Sequence, residues 1–206
     1  MRDGGRQTVR VMVEDVTSVP VLRLLSYWRV KRLRKRAAGG DLPMRSDIEP
    51  EKLVDILPHL FLLDLPRANG LAAPDLSASG VRFRLCGTAV VRFMGSDPTG
   101  RPVSETTPPE LCAGLAGALT LLVRNRRPVT YRGVAYSLES RPFDHGSGLR
   151  PVWSAFEFVL APLVDSEDRL SMAVGALNCG ATARVSAGRA ESSIADRLRD
   201  GALSVV

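Results

Sequence analysis

The apolar positions of this chain change period several times, and each change marks a new element. Between residues 18 and 36 they fall three or four apart. Val21, Leu24, Leu25 and Trp28 share one helical face, and Leu33 extends the stripe loosely. Thr17 or Ser18 is placed to cap this amphipathic helix, Pro20 lies in its first turn, and residues 37–41, AAGGD, end it. Residues 45–65 read RSDIEPEKLVDILPHLFLLDL. Ser46 and Glu49 have capping-box spacing, while Glu49 followed by Pro50 offers proline at the first helical position. Either register predicts a helix of about two turns, with Leu53, Ile56 and Leu57 inward and Pro58 as its stop. Residues 59–65 then read as a strand, its entry fixed by that punctuation, which limits register slip.

Residues 66–80 form a loop of small residues. Val81, Phe83 and Leu85 alternate with Arg82 and Arg84, the pattern of a half-buried strand. Ala89, Val90, Phe93 and Met94 return to helical spacing, closed by Gly95 and the turn SDPTGR at residues 96–101. Residues 110–125 form the most hydrophobic helix, with Arg124, Arg126 and Arg127 at its negative end. Residues 128–139 read as a strand whose phase slips at Gly133, which predicts a bulge. Residues 154–163 and 171–178 give two further strands, joined by a polar turn at 165–169. The order predicts an α+β fold: a five-stranded antiparallel sheet with helices on one face and an amphipathic N-terminal helix. The domain spans 18–178. Residues 1–17 are polar and expected to fray. Within the tail, 179–206, Ile194, Leu198 and Leu203 predict at most a short helix in an otherwise disordered segment.

Charge is concentrated rather than spread. The formal net charge is +6, yet Arg23, Arg29, Lys31, Arg32, Arg34, Lys35 and Arg36 put seven cations into fourteen residues without an acid. Without them the chain is close to neutral, so the basicity belongs to one helix. That run suits a solvated face, a partner or membrane-surface contact, or a nucleic-acid grip. Aromatics are only 5%, which leaves an aliphatic core. Cys86, Cys112 and Cys179 form no CxxC pair, so neither a zinc site nor a disulfide framework is expected, and a reducing cytoplasm fits. The N-terminal residues lack the apolar stretch of a secretory leader. The longest uncharged apolar run, residues 111–123, is too short for an ordinary membrane span.

Candidate chemistry is sparse. The two histidines, His59 beside a proline and His145 in a loop, provide no nucleophile–base set. Asp144 and His145 alone fall short of a metal ligand set. The residues predict no enzyme and no metal.

The quoted segments resemble a bacterial stand-alone variety of the PAS domain family. That variety shows a helix with Tyr27–Trp28, an RSDxxP stretch (Arg45, Ser46, Asp47, Pro50), and an LPH lead into the first strand (Leu57, Pro58, His59). An RxxGT turn (Arg84, Gly87, Thr88) and a GxDxTGR segment (Gly95, Asp97, Thr99, Gly100, Arg101) complete it. Later strands match more loosely, through Pro128, Val129, Tyr131 and Ala161, Pro162, Leu163. The resemblance covers roughly residues 20–178. It implies a non-enzymatic sensory or regulatory module in the cytoplasm, a homodimer through the N-terminal helix, and a signalling-protein partner or small ligand held between sheet and helices. Phe83, Phe93, Met94, Leu115, Tyr131, Phe156 and Phe158 either line such a pocket or fill it as core. Haem-binding relatives resemble one another in a histidine on the long helix, and residues 110–125 hold none. Flavin photosensors carry an NCRFLQ-like motif, which neither Cys86 in LCGT nor Cys112 in PPELCAG matches. Both cofactors are therefore disfavoured. As an alternative, Arg32 and Arg36 fit RxxxR and residues 75–80 fit DxSxxG. These are similar to the cyclic di-GMP motifs of PilZ domains and imply an adaptor for that nucleotide or for nucleic acid, using the basic patch Arg29, Lys31, Arg32, Arg34, Lys35 and Arg36.

Overall fold

A computed structural model of the chain describes residues 18–66, 80–139, 150–179 and 202–205. Helix α1 spans Val19–Ala37, followed by three single 3-10 turns, Arg45–Asp47, Pro50–Lys52 and Leu57–His59. Strands β1 (Leu60–Asp64) and β2 (Arg82–Cys86) precede helices α2 (Thr88–Met94), α3 (Val103–Thr106) and α4 (Pro109–Asn125). Strands β3 (Val129–Glu139), β4 (Arg150–Val164) and β5 (Leu170–Cys179) bring the chain back, and β6 (Ala202–Val205) lies near its C-terminus.

The sheet order is β2-β1-β5-β4-β3-β6, with every neighbour antiparallel. The expected five strands are all there, and β6 extends the edge. Leu203, which the sequence offers to a terminal helix, instead stands opposite Tyr131 in β6. The open edge of β3 has a row of backbone donors and acceptors to satisfy, and four residues of tail satisfy part of it. Ile194 and Leu198 lie outside the described residues, as do residues 1–17.

The central strands are apolar on both faces, which is why β1 and β4 read as nearly unbroken hydrophobic runs. Leu60, Leu62, Val159, Ala161, Leu163, Val174 and Ala176 meet Val21, Leu24, Leu25 and Trp28 of α1. On the other face Phe61, Leu63, Phe158, Leu160, Ala173 and Leu177 meet Val90 of α2 and Leu111, Leu115 and Leu119 of α4. Each fully buried valine, leucine or phenylalanine among them contributes about 1.5–3 kcal/mol. The result is three layers, with α1 and the 3-10 turns that follow it, through Leu42, Ile48, Leu53 and Ile56, on one face of the sheet.

Several local expectations change. The two-turn helix over 49–57 is a run of three-residue turns instead. Leu53 N–H donates to the Pro50 carbonyl, Ile56 to Leu53 and His59 to Ile56 (2.9, 2.9 and 2.8 Å). Spacing by three keeps Leu53 and Ile56 on the inner side and turns Leu57 outward. Because His59 closes the last turn, β1 begins at Leu60. Leu33 faces away from the sheet and is 67% exposed. Leu85 also faces outward, since the pairing of β1 with β2 slips between Leu62 and Leu63 and reverses the alternation. The bulge expected at Gly133 is absent, and β3 pairs with β4 in unbroken register. A Cβ at Gly133 would lie 2.7 Å from the rings of Phe156 and Tyr131, so this glycine makes room for aromatics.

Candidate functional site

The seat of α1 on the sheet gathers most of the residues that the sequence singles out. Trp28 is buried, and its Nε1–H donates to the Pro162 carbonyl of β4 at 3.0 Å. Tyr27 Oη accepts the Glu49 N–H at 2.8 Å, tying the helix to the turns that follow it. The basic run is largely paired within the molecule. Lys31 meets Glu49 (2.8 Å), Arg32 and Arg36 meet Asp41 (3.1 and 3.2 Å), Lys35 meets Asp47 (3.6 Å) and Arg23 meets Asp55 (3.2 Å). Lys31 and Lys52 together hold the Glu49 carboxyl down to about 2. Arg32 also lies over the Trp28 ring, 5.6 Å from its centroid. Among the described residues, Arg29 and Arg34 make no ion pair.

At its two ends α1 is fixed differently. The Ser18 N–H donates to Glu157 Oε2 at 2.9 Å, and Arg132 Nε donates to Glu157 Oε1 at 2.7 Å. Burial alone would raise the Glu157 carboxyl, but these hydrogen bonds outweigh it and hold it below its ordinary value of 4.5. The carboxylate also lies at the positive end of the helix. A group lowered in this way stabilises the fold fully above its ordinary value, and that stability is lost as pH falls through the lowered one. Glu157→Gln is therefore expected to destabilise by about 1 kcal/mol at neutral pH. The gap between variant and wild type should close as urea melts are repeated at pH values below 4.5; a gap that stays constant would refute the assignment. At the far end, Asp41 accepts from Arg32 and Arg36 and also faces Arg126 Nε of the α4 C-terminus at 3.7 Å. Arg126 reaches on to Asp168 in the β4–β5 turn at 2.9 Å.

The seven candidate pocket residues do meet, on the other face of the sheet. Phe83, Leu115, Phe156 and Phe158 are buried, with Phe93, Met94 and Tyr131 packed against them. Ring centroids lie 6.0 Å apart for Phe93–Phe156, 5.8 Å for Tyr131–Phe156 and 5.3 Å for Tyr131–Phe158. The void bounded by Phe61, Phe83, Val90, Met94, Leu111 and Leu115 admits no water-sized sphere. The rings of Tyr131, Phe156 and Phe158 pack on one another beside that void.

The remaining motif residues build turns. Asp47 accepts the Met44 N–H (2.8 Å), Arg45 donates to the Ile48 carbonyl (3.4 Å), and Pro50 opens the second 3-10 turn. His59 Nδ1–H donates to the Leu177 carbonyl at 3.0 Å. Arg84 faces Asp64 across the β1–β2 pair at 3.8 Å. Gly87 N–H donates to the Leu60 carbonyl (2.7 Å), and Thr88 starts α2. Asp97 accepts from the N–H and hydroxyl of Thr99 (3.0 and 2.7 Å), between Gly95 and Gly100, both at positive φ. The Arg101 carbonyl accepts the Phe83 N–H at 3.1 Å, covering the outer edge of β2.

A family model described as a PAS domain matches residues 16–178. The chain belongs to the PAS domain family. PAS domains are in general sensory or regulatory modules rather than enzymes. No functionally curated protein matches the chain significantly. Among solved structures it is similar to the VqmA dimer of Vibrio cholerae, described in connection with DNA binding by LuxR-type receptors, at 15% identity, 65% of this chain, 52% of that one and a TM-score of 0.36. VqmA bound to DPO matches at 16% identity, 64% and 58% coverage and a TM-score of 0.36. The LOV domain of the blue-light photoreceptor Aureochrome1 matches at 15% identity, 71% and 96% coverage and a TM-score of 0.32. The chain spans a little over half the length of the VqmA structures, and the family assignment rests on the family match alone.

Among the described residues of this PAS domain, no helix is long and apolar enough to cross a membrane, and no group of three or more His, Cys, Asp or Glu could hold a metal ion. Asp144, His145 and residues 75–79 of the DxSxxG stretch lie outside the described residues. Arg32 and Arg36 of RxxxR both engage Asp41. Burial pushes the thiols of Cys86 and Cys179 up to about 12, so neither is a thiolate at neutral pH.

Two features of the PAS domain escape the sequence reading. One is the acidic return, Asp41 to Asp55, that pairs with the basic helix; a block of cations followed directly by spaced acids is its signal. The other is Glu157, betrayed only as a lone charge inside the apolar run SAFEFVLAPL.

Proposed function

We propose that this PAS domain is a non-enzymatic regulatory module that works by association. The outward face of α1 is its contact surface, and the seating of α1 on the sheet is what a signal alters. One observation carries this reading: Val19, Leu22, Val30 and Leu33 are 71, 38, 47 and 67% exposed on one side of a helix whose other side is buried from Pro20 to Trp28. Among the described residues, the closed void between Phe83 and Leu115 adds support for a contact surface on the outside of the domain. A ligand entering between sheet and helices would have to displace Phe83 or Leu115, and movement there reaches α1 through β4 and Glu157.

Sedimentation velocity over a concentration series tests the surface, in homodimers and in any partner complex. The Leu22→Glu/Leu33→Glu variant, with unchanged circular dichroism, is expected to weaken assembly at least about tenfold, equivalent to 1.4 kcal/mol. Equal assembly by both proteins would remove the outer face of α1 from the contact. Binding of cyclic di-GMP or DNA through Arg29 to Arg36 is the alternative reading. It must draw on Arg32 and Arg36, which would then leave Asp41.

A further inference from the structure

We infer that the outer face of α1 is a docking groove for an acidic amphipathic helix of a partner protein. The inference rests on the reading that this face is the contact surface, and it names the occupant.

Shape is the first argument. Val19, Leu22, Ser26, Val30, Leu33 and Ala37 succeed one another at intervals of three or four, opposite the buried row Val21, Leu24, Leu25 and Trp28. That is the row a second helix packs against. Beside it, between α1 and the Pro50–Lys52 turn, runs a groove of about 430 Å³ lined by Arg23, Tyr27, Val30, Lys31, Arg34 and Lys52.

Charge selects the partner. Arg23 and Arg34 border the apolar row on one side, Arg29 and Arg36 on the other. Lys31 and Lys52 share the single carboxylate of Glu49, and Arg23 has Asp55. Arg29 and Arg34 are exposed and have no carboxylate among the described residues. The groove thus keeps an excess of positive charge next to exposed valine and leucine. The helix Val19–Ala37 contains no acidic residue. A second copy of α1 laid on this face would set one cationic rim against another, which like-charge repulsion disfavours. A helix with a leucine stripe flanked by glutamates meets both the apolar row and the rims.

The test uses the full chain and two fluorescent helical peptides, one with a leucine stripe flanked by glutamates and a twin with lysines in their place. By fluorescence polarisation the acidic peptide is expected to bind, more weakly as salt rises, while its twin does not. In Arg29→Glu/Arg34→Glu, which touches only the unpaired cations, affinity for the acidic peptide should fall at least about tenfold and the lysine twin should gain binding. Hydrogen exchange should show protection over residues 22–34. Failure of the acidic peptide to bind, equal binding of both peptides, or indifference to the charge reversal each overturns the proposal. If the acidic peptide fails while Leu22→Glu/Leu33→Glu abolishes self-association, the occupant is a second copy and the association reading survives. If no assembly responds to changes on this face, both readings fall.

Discussion

Trp28→Ala is expected to destabilise the protein by about 3–5 kcal/mol, the range for truncating a buried aromatic side chain. Trp28 is 1% exposed. The substitution empties the centre of the α1–sheet layer, leaves the Pro162 carbonyl without its donor, and removes the ring beneath Arg32. The other layer, on the far face of the sheet, keeps all of its contacts. The loss should therefore be greatest in α1 itself, with hydrogen exchange rising across residues 19–37 before it rises in α4. Trp28→Phe keeps most of the volume and loses the hydrogen bond, so it should be milder, near 1 kcal/mol from the bond itself. Urea melts of the three proteins check the order. A Trp28→Ala protein within about 1 kcal/mol of wild type would show that α1 is not seated as described, because no truncation of a fully buried indole is that mild.

Gly87→Ala is the second large effect. A Cβ at this position would press on the carbonyl oxygens of both Leu57 and Pro58, closer than van der Waals contact allows. Those atoms are backbone, held by the His59–Ile56 hydrogen bond on one side and the start of β1 on the other. They cannot rotate away as a side-chain tip would. Overpacking usually destabilises by about 1–3 kcal/mol, and a rigid obstacle places Gly87→Ala at or above the top of that range. Gly133→Ala is the informative comparison, since its added methyl meets the rings of Phe156 and Tyr131, which can turn. Thermal melts should rank Gly87→Ala well below Gly133→Ala. The reverse order would mean that the LPH and RxxGT segments do not touch.

These two positions also illustrate what the sequence makes legible. Tyr27–Trp28, RSDxxP, LPH and GxDxTGR stand out as motifs, and the structure gives each a local mechanical task. Reading them shows where the chain is constrained without showing against what. The strands β1, β4 and β5 are legible because burial on both faces leaves them almost uniformly apolar. The helix α4 is legible because its uncharged apolar run over 111–123 is too long for an ordinary strand, although only the structure shows which of its positions are buried. The 3-10 turns over 45–59 are not, since spacings of three and of three-to-four coincide over so short a span. The slip in β2 that exposes Leu85 depends on a pairing partner some twenty residues earlier, and no local pattern encodes it. Likewise, Leu33 looks like a weak member of a core face until the sheet fixes which side of α1 is inside.

Asp41 has a further consequence. It is a partly exposed carboxylate toward which guanidinium groups converge from helices on both faces of the sheet. Mobile counterions compete for such a junction more readily than for a buried one. Raising the ionic strength should therefore slacken the C-terminal ends of α1 and α4 in concert, while the Glu157 anchor, sheltered from solvent, stays taut.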